Sequence, residues 1–122
     1  MITERIITIP LYRHKVKVIV ADDIKEAKQK YIEIPENSAA CALNYGSTSA
    51  VVVTPNNLSE IVHEVTHVKN YIWTAIGYSP IADNDEPDAY LVSYIFEKVM
   101  NVVGSHIQSK KNKKNKKKKQ ST

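Results

Sequence analysis

Cysteine is nearly absent from this 122-residue chain, with Cys41 standing alone. One thiol cannot close an intramolecular disulfide, so a disulfide-stapled secreted scaffold is excluded and a reducing compartment is expected. Long apolar runs are missing too, and nothing approaches the ~20 residues that span a bilayer. The opening Met1-Ile2-Thr3-Glu4-Arg5 has no continuous apolar stretch and no small-residue cleavage site, so no secretory leader is read there. These absences predict a cytoplasmic protein without a membrane partner. No internal repeat is visible, and about 110 packable residues leave room for one small core and no second domain.

What is present is an ordinary globular composition, 43% hydrophobic and 25% charged. The net charge of +4 comes from one place. Eight of the seventeen basic residues lie in the run from Lys110 to Lys119, and the other nine face thirteen acidic residues, so the body carries about −4. The run has no apolar residue to fold around, which predicts a domain over 1–106 and a disordered Lys-rich tail over 107–122. Its bland role is solubility, and its sharper one is non-specific contact with a polyanion such as nucleic acid. No aromatic residue is interleaved to stack on bases.

The periodicity predicts an α+β fold. Residues 4–12 are rich in β-branched types, and Val16, Val18 and Val20 alternate in a second strand after a tight Arg13-His14 turn. His14 belongs on that solvated turn in this reading. A short helix capped by Asp22 or Asp23 runs to about Tyr31 and covers one sheet face. Two β-prone runs, 40–45 and 48–54, flank the turn Asn44-Tyr45-Gly46-Ser47, and Val51 to Val53 read as a buried strand. Cys41 reads as a small buried hydrophobe. A long helix opens at Asn56 or Asn57, shows Leu58, Ile61, Val62, Val65, Val68, Ile72 and Ile76 to the core, and ends at Gly77. After the acidic turn 83–86 a last helix carries Leu91, Ile95, Val99 and Val102, with Gly104 as its expected end. The two helices pack together, with Trp73 as an anchor of the pair.

The first long helix contains His63-Glu64-Val65-Thr66-His67. Histidines four apart on a helix project from one side a turn apart, so their imidazoles can converge on one ion. They fall opposite the apolar stripe and must line a cleft. Glu64 is placed where its carboxylate can act as general base on a water without being a ligand. A catalytic zinc needs a third protein ligand and an open position. Glu86, nineteen residues after His67 and across an antiparallel turn, is the favoured third ligand, with Asp85 and Asp83 as alternatives. The same cluster also suits helix capping, with Pro87 in a first turn. Tyr90 shares a helix face with Glu86 and is the first choice to stabilise an oxyanion, ahead of Tyr78, Tyr94 and His106.

His63, Glu64 and His67 with Glu86 resemble the gluzincin arrangement of two histidines and a downstream glutamate. Asn84-Asp85-Glu86-Pro87-Asp88-Ala89-Tyr90-Leu91 is similar to a tract of small metallopeptidases encoded by bacteriophages and, more loosely, of ImmA/IrrE-like peptidases. The resemblance spans residues 48–100. It implies a minimal zincin fold with a small, mostly antiparallel sheet, a Zn²⁺ cofactor, a peptide or protein substrate and, for a phage protein, a bacterial host cytoplasm. The Val-rich strand would be the zincin edge strand that binds extended substrate by β-augmentation. Many gluzincins have Asp four residues after the glutamate, where this chain has Tyr90, so support for a histidine would fall to Asp88. Two non-catalytic readings stand beside the peptidase: a zinc-stabilised interaction module, and a phage accessory protein with a polyanion-binding tail.

Overall fold

A computed structural model describes residues 1–120; the last two residues of the expected tail lie outside the described residues. The order is β1 (Ile2–Ile9), a 3-10 turn (Pro10–Tyr12), β2 (His14–Ala21), α1 (Ile24–Lys30), β3 (Cys41–Asn44), β4 (Thr48–Val53), α2 (Leu58–Ile76) and α3 (Glu86–Gln120). The sheet order is β1-β2-β4-β3. β1–β2 and β3–β4 pair antiparallel, whereas the central β2–β4 pair is parallel, so the sheet is mixed. β4 therefore has a partner on each side, and the edge beside α2 is β3. That corrects the expectation that the valine run forms the edge.

Strand alternation sorts the core into two layers. Val16, Val18, Val20, Val51 and Val53 face α2 and α3, where they meet Ile61, Val65, Val68, Ile72, Ile95 and Val99. Ile19, Ala21, Val52 and Cys41 face the other way, onto Ala27 of α1 and Ile34. With both faces covered here, Val51-Val52-Val53 can be continuously apolar, as parallel strands usually are. Each fully buried Val or Ile contributes roughly 1.5–3 kcal/mol of transfer free energy. His14 belongs to the same face as Val16 and is 2% exposed, with Nε2 2.9 Å from Ser49 Oγ. The solvated-turn reading of His14 is thus corrected.

Local chemistry fixes the helix ends. The Asp23 carboxylate accepts from Lys25 N at 2.9 Å, and the Asn57 amide oxygen accepts from Glu60 N at 3.3 Å. Gly77 ends α2 at φ 74°, a left-handed conformation that favours glycine. Leu58, Val62 and Ile76, expected in the apolar stripe, are exposed, while Glu64, Lys69 and Trp73 are buried. α3 passes Gly104 without a break and continues through the lysines. A helix already nucleated by packed turns needs no core to propagate, and Lys has good helix propensity. The expected division after residue 106 thus falls inside one helix, although His106 is the last buried side chain among the described residues.

Candidate metal centre

α2 lies across β4 and β3 with one side on the sheet and a second side against α3. The remaining face carries His63 and His67, both open to solvent. Their Nε2 atoms stand 3.1 Å apart, with ring centroids at 4.8 Å and planes crossed at 78°. As a direct hydrogen bond this contact requires one ring to donate and the other to accept. It is also close to the separation of about 3.3 Å that two nitrogens take at ~2.05 Å around a tetrahedral zinc. Glu64 Oε1 lies 3.8 Å from His63 Nε2, and the three side chains bring ligand atoms within 4.8 Å of one another.

Glu64 differs from the histidines in being almost fully covered, its side chain 8% exposed. Burial raises its pKa; the nearby charges of His63 and His67 act to lower it, and Glu60 adds to the rise. A carboxylate that is desolvated yet faces two imidazoles is a better proton acceptor than one in water. Cys41 and Tyr71 lie close enough to feel it. Burial and then the Glu64 charge push the Cys41 thiol up to about 11, and the same two causes raise Tyr71. Cys41 is accordingly an inert buried thiol. Tyr71, which the sequence reading did not single out, stacks on His67 with centroids at 6.4 Å and planes at 16°. Its hydroxyl donates over 3.4 Å to the Ala42 carbonyl of β3. The signal was available, since Tyr71 is four residues past His67 and hence one turn along the same face.

The other expected site residues lie elsewhere. Asp88, in the first turn of α3, accepts from Trp73 Nε1 at 2.7 Å and from Lys69 Nζ at 3.0 Å. Lys69 and Trp73 leave α2 roughly 120° around the axis from the histidines. Further along α3, Val92, Ser93 and Phe96 lie beside Val62 and Val65. The antiparallel run therefore sets Val92 to Phe96, not Glu86, level with the histidines. Glu86 is exposed near the far end of α2, and neither it nor Asp85 or Asp83 joins the converging group among the described residues. Asp88 is committed to Lys69 and Trp73 and does not support a histidine.

Tyr90 is 71% exposed in a groove with Pro10, Leu11, Tyr12 and Tyr94, away from the histidine face. Tyr78 packs on Trp73, and Tyr94 lies under Lys98. His106 is fully buried, with Nδ1 2.7 Å from Thr3 Oγ1 and Nε2 2.7 Å from Asp22 Oδ1. None of the expected oxyanion partners is thus brought to the centre. The donor set that is present, two convergent imidazoles beside a buried carboxylate, fits zinc chemistry in part, with a third protein ligand not assembled.

Comparison with known protein families, curated proteins and solved structures finds no match. The class is therefore defined by the fold and the centre themselves: an α+β domain whose α2 carries a zincin-like His-Glu-His motif. No helix among the described residues is long and apolar enough to cross a membrane.

Proposed function

We propose that the protein is a zinc-dependent metallohydrolase acting on peptide bonds. His63 and His67 hold the ion through Nε2, and Glu64 is the general base. The observation that carries this reading is the 3.1 Å convergence of the two Nε2 atoms beside a buried carboxylate. When bound, zinc supplies a Lewis acid that polarises a carbonyl and acidifies water. Glu64 takes the proton of the attacking water and delivers it to the leaving amine, a role suited to its raised basicity. The open side of β3 next to α2 offers an extended peptide a row of backbone partners, so substrate lies along β3 rather than β4.

A second reading is favoured by the solvent exposure of both histidines and by the position of Glu86. Here zinc bridges the histidine pair to ligands on another molecule, without hydrolysis. Zinc titration combined with Glu64→Gln separates the two. Catalysis predicts zinc binding by wild type and variant alike, with peptide hydrolysis at least about 100-fold slower in the variant. Equal hydrolysis by the two forms would sink the catalytic assignment of Glu64, and absence of zinc binding would remove both readings.

A further inference from the structure

We propose that the C-terminal end of α3 is an arm that binds double-stranded nucleic acid through its phosphates, independently of the metal centre. The arm starts from a fixed root. His106 is buried between Thr3 and Asp22, and Lys110 Nζ reaches Asp22 at 3.4 Å, one turn further out. The N-terminal ammonium lies at the same point, 3.4 Å from Asp22 and 2.7 Å from Glu26. Beyond this root the helix carries no acidic residue and, after Ile107, no apolar one. At 100° per residue Lys110, Lys113, Lys114 and Lys117 fall within a sector of roughly 100°, and Lys111 and Lys116 on either flank widen the positive face to about 220°.

Two cavities border it. One, of about 620 Å³, is lined by Met1, Asp22 and five lysines, and the other, of about 310 Å³, has Pro55, Asn56, His106 and three lysines in its wall. In both, Asp22 is the sole carboxylate, and it is already engaged by His106 and Lys110. The surplus cations leave a net positive surface that attracts a polyanion. A lysine helix about 10–12 Å across matches a duplex major groove about 12 Å wide, where phosphates lie on both sides. A membrane surface fits less well. An interfacial helix needs an apolar face to bury, and this segment has none. With one charge type repeated along it and neither arginine nor an aromatic residue, the arm takes its affinity from phosphate charge rather than from base edges.

The test is fluorescence anisotropy with two short duplexes of unrelated sequence, comparing the full chain with a variant carrying Lys111→Gln, Lys113→Gln, Lys114→Gln and Lys117→Gln. Gln keeps comparable helix propensity, and all four positions are exposed, so the fold is retained. Equal binding of both duplexes is expected, with a log–log salt slope of about −5 for six lysine contacts, shallower by about 3.6 in the variant. Helical ellipticity of the full chain should rise on binding as phosphates neutralise the lysines. Undiminished binding by the variant, no binding even at low salt, or tighter binding to phosphatidylserine vesicles than to duplex would each overturn the proposal.

Discussion

Glu64 and Asp88 are carboxylates held against the same helix, and their surroundings push them in opposite directions. Glu64 is desolvated with no strong donor beside it, and its pKa rises. At Asp88 desolvation also acts upward, yet hydrogen bonds from Lys69 and Trp73 and the lysine's charge outweigh it and hold the carboxyl below its usual range. The first is left more basic, as the proposed general base requires, and the second is committed to structure. Asp88→Asn keeps an oxygen for Trp73 but leaves Lys69, only 9% exposed, without its counter-ion. We expect a loss of roughly 1–3 kcal/mol in urea denaturation at neutral pH. Zinc affinity should be unchanged, because Asp88 lies on the other side of α2. His67→Ala should do the reverse, weakening zinc by more than about 100-fold, beyond the effect usual for an outer-shell residue. The histidines and Glu64 were legible because four-residue spacing on a helix is a local property. Glu86 was not, because its position depends on how α3 docks, and Asp88 decides that by locking onto Lys69 and Trp73.

The elements themselves followed from capping and periodicity. Asn57, Gly77 and the Asn44 to Ser47 turn act where local rules place them, and Asn57→Ala should cost about 1 kcal/mol through the lost α2 cap. Burial around α2 was harder to read, since Leu58 and Val62 look like core residues in projection. They flank the face that meets β4 and β3, whereas Trp73, with its indole N–H satisfied by Asp88, fills the space near Tyr12. The lysine end of α3 is a different case: it has no core to fold against, but helix extension asks only for propensity and a nucleated start. Like charges at Lys110–Lys114 and Lys113–Lys117 still cost a few tenths of a kcal/mol each. Amides of residues 112–118 should therefore exchange far faster than those of 95–103, and raised salt should narrow the gap. Equal protection across α3 would contradict this account.

At the scale of the whole molecule the two-layer core was readable, but the mixed sheet was not. A hairpin at each end suggests a meander, and only the covering helix between β2 and β3 leaves β4 free to lie parallel to β2. That pairing brings Ser49 opposite Val16 and under His14, so one polar contact joins the first and last parts of the sheet. Alternation from Val16 back to His14 would have placed the imidazole inside; its charged neighbours Arg13 and Lys15 hid that. Burial lowers the His14 pKa below its ordinary 6.5, so the folded protein holds the neutral ring while the unfolded chain takes up a proton below that pH. The contribution is complete above about pH 6.5 and declines as pH falls toward the folded value, by at most about 1.4 kcal/mol per unit. His14→Gln can still bond Ser49 but cannot titrate. With chelator present to remove any metal linkage at His63 and His67, wild type should lose stability from pH 7 to 5 more steeply than the variant. Parallel profiles for the two proteins would show that His14 is not held neutral in the fold.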